Sequence, residues 1–123
     1  MVLQPIHDIA EICARLGVKE AVLSPGSRCA PLTLSFARHP EITTRTITDE
    51  RSAGFIALGM ARKLGRPVVV ICTSGTAVLN YGPAVAEAFY QQIPLIVISA
   101  DRPPEWIDQQ DDRPFANLMF LVI

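Results

Sequence analysis

The sequence predicts an α/β protein: three layers, α/β/α, around a parallel, doubly wound sheet. Three observations carry that expectation. A helical pattern followed by a short strand pattern occurs four times in 123 residues, with short connections between them. The strand segments are rich in β-branched residues, which suit a pleated surface. The third segment, Pro67 to Thr73, is almost continuously apolar, as burial on both faces of a parallel sheet requires.

Each element has its own signal. Pro5 to Leu16 reads as a first helix, with Ile6, Ile9, Ala10, Cys13 and Leu16 on one face and Gly17 as its stop. Ala21–Leu23 follows as a short strand, and Pro25-Gly26 turns the chain so that Ser27 and Arg28 project from the rim at its carboxyl end. A second helix runs from about Ala30 to Ala37 and closes at His39-Pro40, because proline resists helical extension. The second strand is Ile42 to Thr48. The helix after it starts at Glu50 and ends near Gly65, with Ala53, Ile56, Ala57, Met60 and Leu64 at the spacing of one helical face. Behind the third strand, Ser74-Gly75-Thr76 opens a helix through about Tyr90. The fourth strand, Leu95 to Ser99, leads into Ala100–Glu105.

Composition narrows the class of protein. Half the residues are hydrophobic and 19% are charged, so the chain is not of a disordered type. A chain of this length forms one domain and buries roughly two thirds of its unfolded surface. The net charge of −1, without a basic cluster, argues against nucleic acid as a partner. Apolar runs such as Val68–Cys72 and Ile93–Ile98 fall far short of the ~20 residues of a membrane helix. Asp8 and Glu11 interrupt any signal-peptide pattern. Cys13, Cys29 and Cys72 are widely spaced and include no CxxC, which fits a reducing cytoplasm and neither a disulfide framework nor a zinc site.

Chemistry concentrates at the strand ends. Glu50 would sit in the first turn of a helix, at the carboxyl end of a strand, where open α/β sheets bind ligands. A first-turn carboxylate also has an ordinary reason to be there, since it complements the helix dipole. Arg28 and Arg102 each offer a planar fork suited to carboxylate or phosphate, or to a surface salt bridge. Ser27 can donate to the same anion or simply close a turn. Thr73-Ser74-Gly75-Thr76 resembles a phosphate cradle only in outline: it lacks the GxxxxGK[ST] lysine and the GxGxxG spacing, and reads as a helix cap that brings backbone close to something. His7 and His39 lack the spacing of metal ligands. Gly54, Ala57, Gly59 and Ala61 leave the Glu50 helix with little bulk, for packing on the sheet or on a second subunit.

Four stretches share one resemblance. SPGSRCAPLTL (Ser24–Leu34), TDERSAGFIALGMA (Thr48–Ala61), VICTSGTAVLN (Val70–Asn80) and SADRPPEWID (Ser99–Asp108) resemble, in order, the thiamine-diphosphate synthases of menaquinone biosynthesis. These are the 2-succinyl-5-enolpyruvyl-6-hydroxy-3-cyclohexene-1-carboxylate (SEPHCHC) synthases, and the likeness is to their N-terminal, pyrimidine-binding domain. TSGTA and ADRPPE are more specific than the general thiamine-enzyme pattern, in which TxGPG is usual. The resemblance implies a truncated thiamine-diphosphate-binding fold, with Glu50 hydrogen-bonding N1′ of the cofactor's aminopyrimidine and favouring its imino tautomer. It implies decarboxylation of 2-oxoglutarate and addition of the succinyl carbanion to isochorismate, with Ser27, Arg28 and Arg102 around substrate carboxylates. It also implies a cytoplasmic homodimer or homotetramer, with no membrane insertion. The cofactor's diphosphate and its Mg²⁺ belong to a further domain carrying a GDG-type motif that these residues lack, so the chain alone is expected to be inactive and to hold no metal.

The likeness stops after Asp108. The expected organisation is a pyrimidine-binding domain over residues 1–110 and a divergent tail over residues 111–123. Arg113 stands where the family carries an active-site glutamine. A frame-shifted reading is one explanation of the tail: the codons ACC ATT CGC CAA for a family-like Thr-Ile-Arg-Gln, read out of frame with their flanking bases as xGA CCA TTC GCC AAx, give Arg-Pro-Phe-Ala-Asn, the residues at 113–117. A divergent or engineered terminus is the other. The apolar end, Leu118 to Ile123, is expected to need a strand partner or a cover. Two rival readings accompany the resemblance: the pyrimidine domain of another thiamine-diphosphate decarboxylase or synthase, and a non-catalytic α/β module that self-associates through its small-residue helix.

Overall fold

The computed structural model describes residues 4–100 and the backbone of residues 121 and 122. In chain order the elements are α1 (Gln4–Arg15), β1 (Glu20–Leu23), α2 (Ala30–Ala37), β2 (Thr43–Thr46), α3 (Glu50–Leu64), β3 (Val68–Thr73), α4 (Thr76–Asn80), α5 (Gly82–Gln91), β4 (Leu95–Ala100) and β5 (Leu121–Val122). The strands form one sheet in the order β2-β1-β3-β4-β5. The first four are parallel. The predicted α/β class is therefore what the chain adopts. β5 adds an antiparallel edge, pairing Ile96 with Val122 and Val97 with Leu121. Two residues of the apolar end thus take a strand partner on β4.

From β1 the chain steps outward to β2, then crosses back to β3 on the other side of β1. The order reverses between β1 and β3, and such a switch point is where the carboxyl ends of parallel strands open a crevice for ligands. Alternation along β3 explains the position of both cores. Val68, Val70 and Cys72 join Ala53, Ala57, Leu58, Ala61, Tyr81 and Ala88 on the α3–α4–α5 side. Val69 and Ile71 join Ala10, Cys13, Leu23, Leu32 and Phe36 on the α1–α2 side. All five of these β3 residues are fully buried, and each valine or isoleucine so placed is worth roughly 1.5–3 kcal/mol of transfer free energy.

Four local expectations are corrected. Leu16 lies beyond the end of α1 and is 74% exposed; the buried face is Ala10, Cys13 and Ala14, and Gly17 at φ +95° does end the helix. β2 is shorter than predicted, and its Thr-Thr-Arg-Thr sequence forms a polar sheet edge. The buried face of α3 is Ala53, Gly54, Ala57, Leu58 and Ala61, while Ile56 and Leu64 are exposed. The sheet draws in the smallest residues because they permit the closest approach. Finally, the predicted helix from Ser74 to Tyr90 is two helices, broken at Tyr81, with Pro83 in the first turn of α5. A proline in a first turn loses no hydrogen bond, so the break sits where it costs least.

Candidate functional site

The loop leaving β1 lies against the end of β3. The Ser24 amide donates to the Ile71 carbonyl at 2.8 Å, extending the β1–β3 pairing by one residue. Gly26 then passes so close to β3 that a Cβ there would lie 2.9 Å from Thr73 Cβ. Cys29 caps α2 without a side-chain cap bond. Its buried thiol instead turns back on the loop, 3.3 Å from the Gly26 carbonyl and 3.6 Å from that of Ser24, and it accepts from the Thr33 hydroxyl at 3.9 Å. The loop is thus held from within, and Ser27 and Arg28 project from it into solvent, as predicted.

Glu50 arrives over the same sheet edge from the neighbouring strand. The β1–β2 register ends at Leu23↔Thr46, and the Ile47 amide still donates to the Leu23 carbonyl at 2.9 Å. Glu50 and Ser27 each follow four residues beyond that last pair. Asp49 is the N-cap of α3, its carboxylate accepting from the Ser52 amide at 2.8 Å. The Ser52 side chain, and after it this amide, hold the Asp49 carboxyl below its usual range. Glu50 occupies the first helical turn and is half-buried. Burial, with smaller contributions that include the Glu50 charge, pushes the Cys72 thiol up to about 12. The Tyr81 hydroxyl is raised in the same way, so Glu50 lies within electrostatic reach of both groups. Ser27, Arg28 and Glu50 therefore share one edge; Arg102 and Arg113 lie outside the described residues.

Tyr81 was not singled out in the sequence. It is 1% exposed, and its hydroxyl lies 2.8 Å from Ser24 Oγ and 2.9 Å from the Ile71 carbonyl. A carbonyl can only accept, so the tyrosine donates there and the Ser24 hydroxyl can donate to the tyrosine oxygen. The signal was modest: an aromatic residue two positions before a proline inside an apparent helix. The Thr73–Thr76 loop also departs from expectation. The N-cap of α4 is Gly75, at φ +78°, and no side chain makes a cap bond. Thr73 Oγ1 is buried without a hydrogen-bond partner.

Open space surrounds the Cβ position of Gly75. A half-buried carboxylate, an unpartnered hydroxyl and the open space at Gly75 suit a flat heterocycle with polar ring atoms. Among the described residues no three His, Cys, Asp or Glu side chains are grouped to hold a metal ion. His39 is instead engaged at the opposite end of the sheet, with Nε2 2.9 Å from Glu11 Oε2 and Nδ1 accepting from the Glu41 amide. Among the described residues no helix is long and apolar enough to cross a membrane.

Residues 6–117 match the family model described as thiamine pyrophosphate enzyme, N-terminal TPP binding domain. The chain belongs to that family. Among similar curated proteins, one from Cytophaga hutchinsonii is 60% identical over 111 residues, covering 90% of this chain and 20% of its own length. One from Desulfotalea psychrophila is 53% identical over 122 residues, covering 94% and 23%. One from Christiangramia forsetii is 55% identical over 107 residues, covering 87% and 18%. All three are named 2-succinyl-5-enolpyruvyl-6-hydroxy-3-cyclohexene-1-carboxylate synthase. The chain spans about a fifth of the length of these relatives. The resemblance seen in the four motifs is thus one of overall sequence as well.

Proposed function

We propose that the chain is the pyrimidine-binding part of a SEPHCHC synthase, a transferase that decarboxylates 2-oxoglutarate and adds the succinyl unit to isochorismate. The observation that carries this reading is the half-buried Glu50 in the first turn of α3, on the same sheet edge as Ser27 and Arg28, in a chain whose relatives bear that name. Thiamine diphosphate, when bound, supplies a carbon nucleophile that stabilises the charge left by decarboxylation. Glu50 holds a proton between its carboxyl and a ring nitrogen of the aminopyrimidine. Arg28 and Arg102 pair with substrate carboxylates, and Ser27 donates a hydrogen bond beside them.

On this reading residues 1–110 form the pyrimidine-binding domain and 111–123 a divergent tail. The Mg²⁺ and the cofactor's diphosphate are held by a separate domain, and the working enzyme is a cytoplasmic homodimer or homotetramer. Exposed Phe89 and Tyr90, stacked edge to face at 5.5 Å, support an interface on α5. The small residues of α3 are less available for self-association, because Gly54, Ala57 and Ala61 are buried within the domain.

The test is reconstitution. This chain is mixed with the remainder of a related synthase, thiamine diphosphate, Mg²⁺, 2-oxoglutarate and isochorismate, and loss of isochorismate is followed. Turnover by the pair, absent from this chain alone and abolished by Glu50→Gln, is the expected result. Unchanged turnover with Glu50→Gln would remove Glu50 from its role, and no turnover from associated, folded pieces would overturn the reading.

A further inference from the structure

The loop after β1 and the first turn of α3 come from separate strands, yet both must keep their positions for Ser27, Arg28 and Glu50 to act on one ligand. One buried side chain touches the supports of both. The Tyr81 hydroxyl bridges Ser24, the residue at which the β1 loop begins, and the Ile71 carbonyl on β3. The same carbonyl also accepts the Ser24 amide, so both of its lone pairs are used at the switch point between β1 and β3. The ring meets α3 from the other side: a Cβ on Gly54 would lie 3.4 Å from Tyr81 Cδ1 and 3.7 Å from Tyr81 Cα. Gly54 is one helical turn beyond Glu50, on the face that sets how low α3 sits on the sheet.

We propose that Tyr81 is a positioning residue for the candidate site, with separable roles for its two ends. The hydroxyl holds the Ser24–Arg28 loop against β3, and the ring sets the seat of the Glu50 turn. The assignment of Ser27, Arg28 and Glu50 to substrate and cofactor rests on the function proposed above; the clamp itself does not. Its place at the break between α4 and α5 fits the role, because the interruption lets a residue from the end of one helix enter the core between α3 and the sheet. Ser24 and Tyr81 are 57 residues apart in sequence, so their bond fixes a tertiary relation that no local propensity supplies.

Tyr81→Phe removes the hydroxyl and keeps the ring; Tyr81→Leu removes both. Amide hydrogen exchange on this chain reads the clamp without any need for activity. Tyr81→Phe should raise exchange at the hydrogen-bonded amides of Ser24 and Ala30 at least tenfold, with the amides of α1 and β4 within twofold of wild type. Unchanged protection at those two amides in the folded variant overturns the clamp. The reconstituted enzyme reads the positioning. Tyr81→Phe should raise KM for 2-oxoglutarate about fivefold with kcat within twofold, whereas Tyr81→Leu should also lower kcat about tenfold. The double variant Ser24→Ala/Tyr81→Phe should have the KM of Tyr81→Phe alone. A purely structural role would lower the urea midpoint without splitting KM from kcat, and that result overturns the positioning. Altered protection together with a wild-type pair that never turns over leaves the clamp standing and counts against the proposed function instead.

Discussion

Replacing Gly54 with alanine sets two known effects against each other at the seat of α3. In a helix interior, glycine to alanine stabilises by roughly 0.5–1 kcal/mol through backbone entropy. Here the new Cβ would lie 3.0 Å from Ala84 Cβ, well inside the roughly 3.5–4.0 Å of a favourable carbon contact. Ala84 and Tyr81 are both buried and carry no flexible end that could swing away. Relief therefore requires α3 and α5 to separate, and overpacking of that kind costs roughly 1–3 kcal/mol. The clash wins: Gly54→Ala should destabilise by about 1 kcal/mol net, lowering the melting temperature by roughly 4 °C. Urea unfolding of Gly54→Ala, Ala84→Gly and the double variant checks the cause. Ala84→Gly alone should cost about 1 kcal/mol, and the double variant should be more stable than the sum of the singles by about 1–2 kcal/mol, because the offending methyl is gone. A Gly54→Ala variant more stable than wild type, or strict additivity, would refute the close approach on which the position of Glu50 depends.

Further outcomes follow from the same structure. Asp49→Ala removes the acceptor for the Ser52 amide and should lower the melting temperature. Because the Asp49 carboxyl is held below its usual range, wild type should lose this advantage as pH falls through that lowered value, and the two curves should converge in acid. The Cys72 thiol is displaced the other way, from an ordinary 9.0 up to about 12, chiefly by burial. The folded state then binds the extra proton, so this contribution is complete below about pH 9 and is lost as pH rises toward 12. Urea midpoints between pH 8 and 11 should fall more steeply for wild type than for Cys72→Ala; parallel slopes would exclude the thiol as the cause.

What the sequence by itself determined is everything carried by period and punctuation. The continuous apolar run of β3, the alternation of helical and strand patterns, Gly17 and Gly65 as helix stops and Asp49-Glu50 at a helix start were all legible, because each depends on residues within a turn or two of one another. The strand ends bearing Ser27, Arg28 and Glu50 were legible too, since parallel strands joined by right-handed crossovers put their carboxyl ends on one edge. Tertiary structure alone decided which strands are neighbours and hence where the order reverses. It chose the buried face of α3, because a helix laid on a sheet turns its smallest residues inward even where its larger apolar residues mark another stripe. It broke α4 from α5, and it made Tyr81 a bridge between β1 and β3, a contact across 57 residues that exists only once both strands lie side by side.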